Sequence, residues 1–128
     1  MILDTSVIVA IIFQEPGHEK LITTIQHATT IGIGTPTITE CGIVLSARLG
    51  SDTRALLSNF LAEIKAVAIP FTEEHAQTAV FAWRKYGKGQ HPAALNFGDC
   101  LSYAIAKRAN MPLLCVGNDF AQTDLELA

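Results

Sequence analysis

Cysteine is scarce in this chain and wrongly spaced for cross-links. Only 3 of the 128 residues are cysteine, and Cys41, Cys100 and Cys115 offer no C-x-x-C pair and no adjoining pair of histidines. An odd, scattered set argues against both a disulfide framework and a zinc site. Long apolar runs are missing as well, since none approaches the roughly 20 residues needed to cross a bilayer. The opening "MILDTS" lacks a basic leading segment, and no small-residue cleavage site follows it. The expectation is a cytoplasmic protein with no membrane contact.

Positive charge is also in short supply. The chain has 9 Lys and Arg against 12 Asp and Glu, a net charge of -3, so it carries no overall footprint for nucleic acid. A polyanionic partner would need a local basic patch or bound cations. Familiar nucleophile and phosphate-loop signatures are absent too. No G-x-S-x-G occurs, and "IGIGTP" has glycines without a following G-K-[ST]. A haloacid-dehalogenase-type phosphatase would place a second acid two residues beyond Asp4, where this chain has Ser6.

What is present is a globular profile. Hydrophobic residues make up 49% and charged residues 16%, enough for one domain over residues 1–128 with a sizeable core. "MILD" reads as a short buried strand, and "TSVIVAIIF" as a helix capped by Asp4, Thr5 or Ser6. "PGHEKLITTIQHA" follows, with Leu21, Ile22, Ile25 and Ala28 on one face. "TIGI" is a second strand, and Thr35 with Pro36 starts a helix that Gly50 closes. Ser51 is expected to cap a fourth helix bearing Leu57, Phe60, Leu61 and Ile64. "AVAI" gives a third strand, and Thr72 with Glu73 and Glu74 opens a fifth helix. "YGKGQHPAAL" is a loop, Asn96 caps a sixth helix, and "PLLCV" is a fourth strand. Short, non-alternating strands separated by helices predict a three-layer α/β/α sandwich with a central parallel sheet. In such sheets, ligands bind beyond the carboxyl ends of the strands.

Four acids fall where that rule points. Asp4 ends the first strand, where a helix cap worth about 1 kcal/mol would explain it equally well. Glu40 has no such ready role, because its helical neighbours Ile43, Val44 and Ala47 are apolar. A buried, unpaired carboxylate is costly or turns neutral, so Glu40 needs a cation or a polar cleft. Asp99 lies in the first turn after Asn96, where the helix dipole alone could account for it. Asp119 follows "LLCVGN", an ordinary turn position. On a parallel sheet all four can face one crevice. Their repulsion then calls for divalent cations, and all-oxygen ligands suit Mg²⁺ or Mn²⁺. Phosphodiester hydrolysis by metal-activated water is the chemistry such a site performs.

Together, "MILDTSVIVA", "TPTITE", "ALNFGDCLSYAIAKR" and "LLCVGNDFAQTD" resemble blocks of the PIN-domain ribonucleases of the VapC type, toxins of toxin–antitoxin pairs. The resemblance spans essentially the whole chain, and "NFGDCLSYAIAK" is its most diagnostic block. It implies that Asp4, Glu40, Asp99 and Asp119 form the catalytic quartet. Asp4 and Asp99 would bind metal directly, with Glu40 and Asp119 holding a second metal or orienting water. Thr5 and Ser6 match residues that support the metal site, while Asn118 is either an aid to Asp119 or a turn former. Asp124 reads as a surface acid. The resemblance further implies a five-stranded sheet, Mg²⁺-dependent endonucleolytic RNA cleavage, a homodimer, and silencing by a small VapB-like antitoxin. "FAQTDLELA" hardly supplies a fifth strand.

For contact with RNA, "WRKYGKGQHP" sets Arg84, Lys85 and Lys88 around Tyr86. These cations could hold phosphates while Tyr86 or His91 stacks on a base, and they equally suit a solvated helix end. Arg48 could join them. Two other readings stay open: a PIN-like RNA or protein binding module that does not cut, and a phosphatase of small esters.

Overall fold

Alternation of short apolar segments with amphipathic helices builds the expected sandwich, in a computed structural model that describes residues 1–128. Strand β1 (Ile2–Leu3) leads into helices α1 (Thr5–Ile12) and α2 (His18–Gln26). Strand β2 (Gly32–Gly34) leads into α3 (Thr35–Leu49) and α4 (Arg54–Glu63), and β3 (Val67–Ile69) into α5 (Glu73–Tyr86) and α6 (Phe97–Ala109). Strand β4 (Leu113–Leu114) precedes a 3₁₀ turn at Phe120–Gln122. All four strands are parallel, in the order β3-β2-β1-β4. The chain therefore runs outward from β1 to β3 and returns to the other side of β1. The order reverses between β1 and β4, and Asp4 stands at that switch point, its amide donating to the Leu114 carbonyl at 3.0 Å.

Strand alternation divides the core between the two faces. Ile2 and Leu113 pack with Ala82, Tyr103 and Ile105 of α5 and α6. Leu3 and Leu114 turn the other way, onto Val7 and Ile25 of α1 and α2. Ile33 joins Ile8, Leu45, Leu57 and Leu61. Strands β1, β2 and β4 are fully buried and need apolar residues throughout, which is why they show no polar alternation, whereas the edge strand β3 leaves Val67 exposed. Gly34 seats the helix that carries Asp99, because a Cβ there would lie 2.7 Å from Ile105 Cγ1.

Three local expectations shift. The fifth strand shrinks to one bridge, Leu113 with Leu127, closed by two 2.9 Å backbone bonds from Leu113 N to Glu126 O and from Ala128 N to Leu113 O. The tail spends its residues on the 3₁₀ turn and has no β-branched run to extend a strand. Ser51 does not cap α4. Thr53 holds the cap position, and the Asp52 carboxylate, one residue nearer than Ser51, accepts the Arg54 amide at 3.0 Å. Helix α3 starts one residue early, with Gly34 at its cap, and the Thr35 hydroxyl instead accepts the Phe71 amide at 3.3 Å. No helix is long and apolar enough to cross a membrane.

Candidate active site

Strand β1 delivers Asp4 into a buried position, only 6% exposed. Its Oδ2 accepts from the Ser6 amide at 3.1 Å and the Ser6 hydroxyl at 2.7 Å, and its Oδ1 accepts from Ser102 Oγ at 2.7 Å. Ser6 Oγ in turn accepts the Val116 amide at 3.0 Å. Cap and cleft acid are thus one and the same: Asp4 caps α1 itself. Of the three candidates for that cap Asp4 holds the position, while the Thr5 and Ser6 hydroxyls are engaged with carboxylates.

Helix α3 delivers Glu40, which is half-buried and accepts the Thr5 hydroxyl on Oε1. This acid, on an otherwise apolar helix face, lies in a polar cleft with Asp4, Thr5 and Asp99. Helix α6 delivers Asp99 through a reciprocal cap. The Asn96 amide donates to Asp99 Oδ2 at 3.0 Å while the Asp99 amide donates to Asn96 Oδ1 at 2.9 Å. Asp4, Thr5, Ser6, Glu40, Asn96 and Asp99 line one cleft of about 340 Å³. Asp119 stays outside that lining, exposed at the start of the 3₁₀ turn with no capping bond from its side chain.

The cleft's electrostatics are uncompensated. Burial pushes Asp99 up to about 6; hydrogen bonding to Asn96 opposes the rise, and the charges of Asp4, Asp119 and Glu40 add to it. Burial, with Asp4, Asp99 and Asp119, also pushes the Cys115 thiol up to about 11. Asp119 is therefore felt in the cleft through its charge. No ion pair of the chain reaches any of the four acids. Hard oxygen donors without a cation of their own fit Mg²⁺ or Mn²⁺. No three of the chain's His, Cys, Asp and Glu side chains stand close enough together to form a ready cation cage. A larger apolar groove of about 850 Å³ between α3 and α4 has no comparable convergence of acids.

Elsewhere the sequence expectations divide. Arg84, Lys85 and Lys88 are exposed at the end of α5 and in the loop running into Asn96. Tyr86 is corrected: it is 5% exposed and packed in the core against Tyr103, so it offers no face to a base. His91 packs edge-on against Tyr86, and its Nδ1 accepts the Ala93 amide at 3.0 Å, so its ring is engaged too. Arg48 lies 3.7 Å from the centre of the Phe13 ring and 3.9 Å from Glu15, which occupies its charge away from the α5 cations. Asn118 acts as a turn former, its carbonyl accepting the Ala121 amide. Asp124 is exposed and accepts from Tyr103 and Lys107 at 2.7 Å each.

Ser102 and Thr37 are the residues sequence reasoning missed. Ser102 is 1% exposed, holds Asp4, and lies 3.4 Å from the Thr37 hydroxyl. Its signal was its spacing, three residues beyond Asp99 on the same helix face.

The PIN-domain family model matches residues 1–126. Ribonuclease VapC36 of Mycobacterium tuberculosis is 46% identical over 127 residues, covering 98% of this chain and 91% of the relative. Ribonuclease VapC of Mycolicibacterium smegmatis is 37% identical, covering 98% of this chain and 97% of the relative. Among solved structures, Mycobacterium tuberculosis VapC20, described as a sarcin-ricin loop cleaving toxin, superposes with a TM-score of 0.79 at 14% identity, covering 99% of this chain and 97% of that one. Whole-chain agreement in sequence with these ribonucleases, and in fold with a solved toxin, places this chain in the PIN-domain family, among the VapC ribonucleases.

Proposed function

We propose that this chain is a metal-dependent endoribonuclease and the toxin of a VapBC-type pair. The observation that carries the reading is the convergence of Asp4, Glu40 and Asp99 on one cleft whose negative field no side chain of the chain cancels. Mg²⁺ or Mn²⁺ bound there would acidify a water and offset charge on the scissile phosphate. Asp4 and Asp99 would hold the ion, with Ser6 and Ser102 fixing Asp4. Glu40, steadied by Thr5, would help to hold the metal and orient the attacking water, and Asp119 would add negative charge from outside the lining. In-line attack breaks the bond from phosphorus to the 3′ oxygen, leaving 5′-phosphate and 3′-hydroxyl ends. Arg84, Lys85 and Lys88 would hold flanking phosphates of the RNA.

The VapC relatives support a VapB-like antitoxin as partner, one that would silence the toxin by obstructing the cleft. A homodimer belongs to the same reading, and the exposed Ile43 and Phe97 are apolar surface that a second copy or the antitoxin would cover. RNA cleavage would take place in the cytoplasm. The test is incubation of purified protein and of Asp4→Asn with structured RNAs, with and without Mg²⁺, followed by mapping of the ends. Mg²⁺-dependent cuts bearing 5′-phosphates, lost in Asp4→Asn, are expected. Binding of RNA without any cut would favour a non-cleaving module, and turnover of nitrophenyl phosphate in preference to RNA would favour a phosphatase.

A further inference from the structure

We infer that Gly98 is a positioning residue: the missing side chain at the second position of α6 lets the Glu40 carboxylate lie against that helix's first turn. Its functional consequence rests on the proposed metal-dependent cleavage, whereas the contact itself rests on geometry alone.

The backbone does not call for glycine here. Position 98 is helical, and the glycines with positive φ are Gly17, Gly50, Gly89 and Gly117. In an ordinary helical conformation glycine is a poor choice, outranked by every residue except proline. What a side chain would meet supplies the reason. A Cβ on Gly98 would lie 2.5 Å from Glu40 Oε2 and 3.1 Å from both its Cδ and its Oε1. The 2.5 Å separation is too short for any methyl group and the other two are tight, so the carboxylate and the methyl cannot both occupy these positions.

The obstacle is the end of a side chain, not backbone. Alanine at 98 would therefore leave α6 in place and drive the Glu40 carboxylate away. The same carboxylate is held from α1 by the Thr5 hydroxyl, so a displacement from Gly98 also disturbs that contact. Glu40 is thus located by two neighbours, a donor at the start of α1 and an empty site at the start of α6. Asp99 is the residue after that empty site, so the contact at Gly98 fixes where Glu40 stands relative to Asp99. The helix N-terminus also favours a carboxylate placed there.

The test compares Gly98→Ala with the parent by crystal structure, thermal melting, Mn²⁺ titration calorimetry and RNA turnover. The Tm should be equal or higher, because alanine suits a helix better. Glu40 should be displaced from its parental position, and Mn²⁺ affinity and kcat should each fall by about tenfold or more, the scale of losing support around a metal ligand. KM for RNA should stay nearly unchanged. In a Glu40→Ala background, Gly98→Ala should cost no further Mn²⁺ affinity. An undisplaced Glu40 with parental affinity and kcat would overturn the inference, as would a fall in Tm or an equal loss of affinity in both backgrounds. A parent that neither binds Mn²⁺ nor cuts RNA would defeat the proposed function instead, and the position of Glu40 in the Gly98→Ala structure would still decide the inference.

Discussion

Ser102 donates its hydroxyl to Asp4 Oδ1 at 2.7 Å across 98 residues of sequence, tying the acid at the end of β1 to the helix that carries Asp99. The bond matters because both partners are out of water, Ser102 at 1% and Asp4 at 6% exposure. It also makes α6 the common support of the cleft, since the same helix supplies Asp99 and the contact at Gly98.

Replacing Ser102 with alanine should cost about 1.5–3 kcal/mol of stability, the usual worth of a hydrogen bond to a charged group. Cleavage should fall about 10- to 100-fold as Asp4 loses its anchor. Denaturant unfolding and single-turnover cleavage of the same sample check both, and a variant unchanged in both would remove Ser102 from the site.

Asp99 sets a pH dependence of stability. Folding raises its pKa from 3.8 to about 6. As pH rises past the unfolded value, the unfolded chain releases its proton while the folded chain still holds one, so stability falls between about 4 and about 6 and the penalty is complete above that. Screened by water at this half-open position, it amounts to roughly 1–2 kcal/mol. With EDTA near neutral pH, Asp99→Asn should therefore melt above the parent. Saturating Mn²⁺ should reverse that order, because the parent gains from binding the ion. Equal melting in EDTA would show that burial and the neighbouring acids do not disfavour the ionised Asp99.

Thr5→Val keeps the shape of the residue and removes the donor to Glu40. We expect kcat to fall by about tenfold with little change in Tm, and Thr5→Ser to restore most of the rate. Loss of Tm without loss of rate would assign Thr5 a purely structural part.

The exposed cations at the end of α5 act, if they meet RNA, by releasing counterions. Replacing Lys85 and Lys88 with Gln should leave Tm unchanged and reduce the slope of log affinity against log salt by about 0.7 for each phosphate that these side chains neutralise. An unchanged slope would mean that these lysines merely solvate the helix end.

Strand and helix order was legible because the helices carry a 3.6-residue apolar period and the strands are short unbroken apolar runs between them. So was the oddity of Glu40, an acid with apolar helical neighbours. The misses have separate physical causes. Tyr86 is flanked by Arg84, Lys85 and Lys88 and reads as surface, yet helical spacing from Ala79 and Ala82 puts it on the buried face of α5. Ser102 looks like any helical serine until the fold brings a strand end from 98 residues away against it. Asp119 was expected inside the crevice, but the chain leaves β4 through the turn at 116–119, which holds the acid at the rim. The choice between cap and cleft acid at Asp4 was a false one, since a carboxylate has enough lone pairs for both.

The most direct measurement is cleavage of end-labelled RNA by the purified chain and by folded Asp99→Asn, each in Mg²⁺ and in EDTA. The parent should cut only with Mg²⁺, leaving 5′-phosphate and 3′-hydroxyl ends, and Asp99→Asn should be at least about 100-fold slower, as expected on losing a charged group that holds the metal. Cutting by the parent in EDTA, or by folded Asp99→Asn at the parental rate, would contradict a metal-dependent site built on these acids.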